Sequence, residues 1–528
     1  MRRTVAMITL APILICVLMS IFGTLQTKCV QPPESEWAEE YGGSYGDTGY
    51  QVLQTPDGGY AISCYTNRGS VGQEDFYLVR TYANGTMKWD KTYATNLRDV
   101  PYNLIQTNDG GFALAGYTGS YNHEDFWLVK TDSSGNHEWN KTYGGSQRDI
   151  ANVIIQTSDG GYVIAGETSS YGAGSIDFWM VKTDVNGDVQ WSRTYGGSGQ
   201  DFAAEAVQTV DGGYALFGWT MSFGAGGRDF WLVKTDVEGN ELWNKTYGDT
   251  LWEEGFFGIQ TNDGGYAMLG WTESYGAGGE DFWLVKTDSS GNHQWNKTYG
   301  GMEDERGYCV VQTIDGEYAL AGNTRSLGAG GEDFWLVKTD VNGIVLWNQT
   351  YGGTNNDSPR YIIQTHDKGY ALTGYFGFNS PNENAWLIKL APTKIAATVD
   401  VDPDTLNLKS KGEWLTGYVE LPEGYDVNDI DTSTILLNGT VSAEERPTGV
   451  GDEDNDGVPD LMVKFDRANV KSYILANIDV AALYQERSMN ITLTVTGNLN
   501  DGTLFEGTDT IRIMMPGTSR RTAYLHPT

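Results

Sequence analysis

The densest group of chemistry-bearing residues is the run Asp452-Glu453-Asp454-Asn455-Asp456-Gly457-Val458-Pro459-Asp460. Carboxylates at alternate positions can wrap one hard cation, and calcium takes about six to eight oxygen ligands. Asp452, Asp454, Asp456 and Asp460 are the expected side-chain ligands, the Val458 carbonyl adds one, and Gly457 allows the bend. A structural calcium ion that rigidifies the loop is the expected cofactor. The same run also reads as a solvated acidic turn.

Two more carboxylate sets recur at regular spacing. Asp47, Asp99, Asp149, Asp201, Glu253, Glu305 and Asp357 form the first. Asp75, Asp125, Asp177, Asp229, Asp281 and Asp333 form the second, with Asn384 at its seventh position. Such rings can present negative charge to cations or basic partners. They can equally fix their own turns by accepting backbone N–H bonds. Between them lies a G-x-T segment whose middle residue varies: Tyr65, Tyr117, Glu167, Trp219, Trp271, Asn323 and Tyr375. Aromatics beside carboxylates suit sugar stacking or protein contact, or packing between repeats. No H-E-x-x-H, G-x-S-x-G or phosphate-loop pattern occurs, and His137 and His293 occupy equivalent turn positions. Paired carboxylates leave a glycosidase open, with Glu167 and the Glu253–Glu254 pair as departures from the repeat. Asparagines 84, 140, 244, 296, 348, 438 and 490 sit in N-x-S/T sequons, as Asn84, Asn140, Asn244, Asn296, Asn348, Asn438 and Asn490.

These positions are set by an internal repeat. A Q-T-x-D-x-G-Y string starts at Gln54, Gln106, Gln156, Gln208, Gln260, Gln312 and Gln364, at intervals of 52, 50, 52, 52, 52 and 52. Four strands are expected per unit; in the third they run 152–157, 162–169, 177–182 and 189–195. Asp-Gly and Asn-Gly turns separate them. The last unit lacks its fourth strand, W-x-x-x-Y-G-G, and that strand stands alone near the start, at 37–43. Seven units sharing one displaced strand predict an all-β, seven-bladed β-propeller over residues 31–390, closed by an N-terminal strand. The loops joining second to third strands, and successive units, then share one face, the expected binding face.

The stretch Asp132-Ser133-Ser134-Gly135 with Trp139 resembles the tryptophan-docking repeat of quinoprotein-type propellers. The whole unit resembles the repeats of secreted microbial cell-surface propellers. Quinoprotein dehydrogenases typically have eight blades and an adjacent cysteine pair; this chain has seven units and no Cys-Cys, so no organic cofactor is expected. Residues 391–394 read as a linker and 516–528 as a tail. Alternating runs over 395–515 predict a C-terminal β-sandwich. It resembles an immunoglobulin-like module of secreted microbial proteins, on Leu421-Pro422-Glu423-Gly424-Tyr425-Asp426 and the acidic loop. That loop is similar to the first nine positions of an EF-hand, with Val463 where the twelfth position carries Glu.

Arg2 and Arg3 precede an uncharged run, 4–22, so residues 1–30 are expected to be a signal peptide or an N-terminal membrane anchor. Cys64 and Cys309 are expected to be small buried hydrophobes rather than a disulfide framework. The chain carries 69 Asp plus Glu against 35 Lys plus Arg, a net charge of −34, which argues against nucleic-acid binding. Together these features point to an exported cell-surface binding or adhesion protein with a protein or glycan partner. The alternatives are a carbohydrate-active or quinoprotein-like enzyme on the same scaffold, or a structural envelope component.

Overall fold

The computed structural model describes residues 30–42, 46–67, 74–378, 384–422, 424–446 and 448–515. The expected signal or anchor, with its apolar run 4–22, and the expected tail 516–528 fall outside these residues. No described helix is long and apolar enough to cross a membrane.

The chain divides into two compact units, one spanning Glu34–Ala391 and the other comprising the residues before Glu34 that join Pro392 onward. In the first unit there are seven antiparallel four-stranded sheets. Six are formed by consecutive strands, as in Asp149–Gln156, Tyr162–Thr168, Asp177–Thr183 and Val189–Tyr195. The seventh joins Asn356–Gln364, Tyr370–Phe378 and Asn384–Leu390 to the N-terminal strand Ser35–Tyr41, in register from Trp37↔Lys389 to Tyr41↔Ala385. The displaced strand thus lies where the repeat count requires it.

The first strands begin earlier than the apolar pattern predicts. In the third sheet Asp149, Ile150 and Ala151 already pair with Thr168, Glu167 and Gly166 before a bulge. The ring carboxylates therefore open these strands rather than precede them.

Each invariant residue has a bonding role. Gln156 Nε2 donates to the Gly160 carbonyl of its own turn, at 3.3 Å, while its Oε1 accepts the Asn108 amide of the preceding sheet, at 2.8 Å. The same bond joins the last sheet to the first: His366 N donates to Gln54 Oε1 at 2.8 Å. Buried Lys182 donates to Asp159 at 2.8 Å and to the Thr183 carbonyl at 2.8 Å. Burial would raise the Asp159 carboxyl, but Lys182, Thr157 and the Gly161 amide hold it at about 2.

The outermost strand carries the contact between neighbouring sheets. Tyr143 donates to the Gly187 carbonyl of the next sheet at 2.7 Å. Trp139 covers that glycine so closely that a Cβ would lie 2.9 Å from its ring, and Gly187 has φ +79°. Tyr93–Gly135, Tyr195–Gly239, Tyr247–Gly291 and Tyr299–Gly343 repeat the bond at 2.6–2.8 Å. The apolar core is accordingly built between sheets; Val52, Ile62 and Val79 of the first share one cluster with Ala371, Ala385 and Leu387 of the last. Cys64 and Cys309 are fully buried free thiols.

In the second unit, Val30–Gln31 pairs with Lys394–Ala396, so residue 31 joins this unit and Lys394 lies in a strand rather than in the expected linker. One sheet includes Leu504–Met514, Ser488–Leu499 and Ile430–Leu437; the other includes Thr398–Asp402, Trp414–Glu420 and Asp460–Asp466. Alternate residues of both enter one core, among them Val401, Leu415, Phe465, Val495 and Phe505. Two helices, Arg467–Asn477 and Val480–Glu486, were not anticipated. Asp466 and Asp479 cap them by accepting backbone amides, and Val470 and Ile474 reach the core from one face.

Gly187→Ala should destabilise the first unit by about 1–3 kcal/mol, because it combines a left-handed backbone with a clash against Trp139. Denaturant unfolding checks this; Gly160→Ala, at φ +83° but with nothing within 4 Å of its Cβ, should cost less.

Candidate functional site

The first strands of all seven sheets converge on one cavity of about 290 Å³. Its wall includes one equivalent residue from each sheet: Tyr50, Tyr102, Asn152, Ala204, Phe256, Tyr308 and Arg360. All seven stand four residues before the Gln of their unit. The next residue on each strand knits the wall together; Asn103 Oδ1, for example, accepts the Ile154 amide at 3.2 Å. Tyr50 and Tyr102 pack edge to face with ring centres 4.8 Å apart, and Phe256 and Tyr308 lie 5.7 Å apart.

Around this wall sit the variable G-x-T residues, paired with cationic or acidic partners. Arg98 lies over Tyr117, 5.5 Å from the ring centre, and holds Glu74 through bonds of 2.6 and 3.0 Å. Arg148 approaches Glu167 to 2.6 Å. Arg228 lies between Trp219 and Trp252, at 4.2 and 4.6 Å, and pairs with Glu254. Arg306 covers Trp271 at 5.8 Å and pairs with Glu280. Asn323 donates to Glu332 at 3.0 Å, and Arg325 holds the same carboxylate at 2.6 Å.

Arg360 breaks the series. Its guanidinium lies 5.4 Å from the Tyr308 ring centre and 5.5 Å from that of Tyr375. Among the described residues no carboxylate pairs with it, and its buried Nε has no hydrogen-bond partner. Two carboxyls also line the cavity. Burial pushes Glu205 up to about 8, with only the Ala206 amide opposing. Burial raises Glu167 to about 7, against the opposing pull of Arg148.

Several expected site residues lie elsewhere than the open face. Tyr117, Glu167, Trp219, Trp271 and Asn323 are each at most 6% exposed, so they form a supporting layer rather than free stacking surfaces. Glu167 alone of these five lines the cavity, and Tyr375 is half-buried. The first carboxylate ring is corrected more fully. Asp47, Asp99, Asp149, Asp201, Glu253, Glu305 and Asp357 are all 0% exposed and cannot offer a charged rim. They anchor the loops: Asp149 accepts from Gly145 N at 2.8 Å, from Ser170 Oγ at 2.7 Å and from Thr168 Oγ1. Asp201 does the same with Gly197, Ser222 and Thr220. In the second set, Asp177, Asp229, Asp281 and Asp333 cap the Gly-rich loops, as Asp177 does for the Gly174 amide at 2.9 Å.

In the second unit the acidic loop gathers its carboxylates. Oxygens of Asp452, Asp454 and Asp460 lie within 4.8 Å of one another, as do those of Glu420, Asp454 and Asp456. Glu420 comes from the neighbouring strand Trp414–Glu420, and sequence spacing alone did not reveal it. Gly457 takes the bend at φ +95°, and the Val458 amide donates to Asp456 at 2.8 Å. Among the sequons, Asn84, Asn140, Asn244, Asn296 and Asn490 are exposed, while Asn348 and Asn438 are half-buried.

Glu205 gives the first unit a pH dependence of known sign. Between about pH 4.3 and 8 its carboxyl is protonated when folded and ionised when unfolded, so its share of stability is fully present at pH 4 and is lost as pH rises through about 8. Glu205→Gln should therefore raise stability at pH 9 by about 1–3 kcal/mol and leave it nearly unchanged at pH 4. Urea titrations at the two pH values check this.

No family model matches the chain, and no curated protein is significantly similar. Solved structures resemble it weakly. The extracellular domain of BT4673 from B. thetaiotaomicron aligns at 10% identity and a TM-score of 0.39, over 92% of this chain and 60% of that one. Puromycin hydrolase aligns at 10% identity and a TM-score of 0.41, over 72% of this chain and 59% of that one. Sqt1 from Chaetomium thermophilum, bound to the N-terminus of ribosomal protein L10, aligns at 10% identity and a TM-score of 0.39, over 68% of this chain and all of that one. The chain thus spans about three fifths of the length of the first two.

Proposed function

We propose that this chain is an exported cell-surface binding protein whose seven sheets form a seven-bladed β-propeller, followed along the chain by an immunoglobulin-like β-sandwich. The binding site is the cavity at the centre of the sheets, and the partner is a glycan or a protein segment that inserts there. The observation that carries this reading is the wall of half-buried aromatic side chains around Arg360. Flat apolar faces with a few polar groups suit sugar rings and aromatic side chains. Export rests on the basic start and the apolar run 4–22, with cleavage or anchoring as its two outcomes. Exposed sequons on the outermost strands support glycosylation.

Calcium in the second unit is part of the proposal. Asp452, Asp454, Asp456, Asp460 and Glu420 would hold it, with the Val458 carbonyl as a further oxygen. The ion would brace the loop against the strand carrying Glu420. Calcium should raise the melting temperature of the full chain, and Asp454→Ala with Asp456→Ala should abolish the rise, because binding to the native state stabilises it. Equal melting in calcium and in chelator would refute the site.

A second reading is favoured by Glu167 and Glu205. Carboxyls protonated near neutral pH can act as general acids, as glycoside hydrolysis requires. Release of nitrophenol from aryl glycosides, lost in Glu205→Gln, would support it.

The binding reading is tested by filling the cavity. Ala204→Trp places a large ring among the wall residues without removing any group. On a glycan and peptide array, the full chain should bind and the variant should lose that binding while keeping its melting temperature. Retained binding in a folded variant would move the site away from the cavity.

A further inference from the structure

The cavity wall also indicates what kind of group it recognises. The arginines near it at Arg98, Arg148, Arg228, Arg306 and Arg325 each approach a carboxylate. Their charge is neutralised within the protein. Among the described residues at this wall, Arg360 alone has a guanidinium with no carboxylate partner; it lies against the rings of Tyr308 and Tyr375. A partly desolvated cation without a carboxylate partner costs stability, offset among the described residues only by its contacts with the Tyr308 and Tyr375 rings. Its surroundings suit a ligand instead. Guanidinium binds carboxylates through two parallel N–H···O bonds, and the flanking rings offer flat faces beside it.

We infer that the cavity binds a small organic carboxylate with a ring-shaped body, the carboxylate held by Arg360 and the ring laid against Tyr308 and its aromatic neighbours. This deepens the binding reading and rests on it. The chain's net charge of −34 favours a monoanion over a phosphate dianion, which it would repel more strongly. Burial raises the remaining carboxyl without an ion pair, Glu205, to about 8, which disfavours an opposing charge at this wall. Asn152 donates to the Ala203 carbonyl at 2.7 Å, which leaves its Oδ1 able to accept from a ligand hydroxyl. Two sources carry this chemistry: acidic sugars and aromatic acids.

Calorimetric titration of the purified full chain separates them. Glucuronate and benzoate serve as probes, with glucose and benzyl alcohol as their uncharged counterparts. At least one acid should bind, and its counterpart should bind at least about tenfold more weakly. Binding of glucuronate alone assigns the sugar class, and binding of benzoate alone the aromatic class. Arg360→Gln should weaken the acid by about ten- to a hundredfold while leaving the melting temperature unchanged or higher. Arg360→Lys keeps the charge without the fork and should fall between, which tests the idea even if the glutamine variant fails to fold. Equal affinity for acid and counterpart, or wild-type affinity in a folded Arg360→Gln, would overturn the inference. So would array binding that Ala204→Trp abolishes but Arg360→Gln does not; the binding reading would then survive. If neither acid nor array ligand binds the wild-type chain, both readings fall together.

Discussion

The contact on which the first unit depends is the docking of an outer-strand tryptophan and tyrosine on a glycine of the neighbouring sheet. Trp139 covers Gly187 and Tyr143 bonds its carbonyl, and the same pair recurs from sheet to sheet. A four-stranded sheet with two apolar faces cannot stand alone in water. Its faces are buried only if the next sheet lies at a fixed distance. The glycine sets that distance, since any Cβ would collide with the indole. Its positive φ also turns the hairpin that carries it. One small residue thus serves the turn and the spacing together.

Fixed spacing, set by a glycine at six of the seven junctions, brings the first sheet back to the last, where His366 bonds Gln54. The convergence of the innermost strands then leaves a small central space. Regularity governs the charges too. Carboxylates repeated in every unit are consumed by the turns, as Asp149 and Asp201 are by hydroxyls and amides. Arginines near the wall are mostly consumed by carboxylates. What remains available is a residue with no such duty. Arg360 occupies the position that holds Tyr, Asn, Ala or Phe in the other sheets, so the repeat does not require its charge.

This logic explains what could be read from the sequence. The repeat, the displaced strand and the hairpin turns were legible because the repeated residues make the same bonds in most of the sheets. The same invariance misled the reading of the acidic ring. Regular spacing placed Asp47 to Asp357 on one side of the unit, but it carried no information about depth, and the hydroxyls that bond them, such as those of Thr168 and Ser170 on Asp149, lie about 20 residues away. The cavity wall leaves no such mark in the sequence, for the opposite reason. Its residues share no type, and only alignment of the units on their glutamines reveals that they share a position. Glu420 was hidden because it reaches the acidic loop from another strand of its sheet. The helix Arg467–Asn477 was hidden because only Val470 and Ile474 bury an apolar face.

The central claim is that the seven sheets enclose one binding cavity with a free guanidinium in its wall. A crystal structure of the full chain grown with glucuronate or benzoate tests it most directly. The expected result is seven sheets joined first to last through residues 35–41, with ligand density in the cavity against Arg360 and Tyr308. A ring open between the first and last sheets, or Arg360 paired to a carboxylate of the chain with the cavity empty and ligand bound elsewhere, would contradict it.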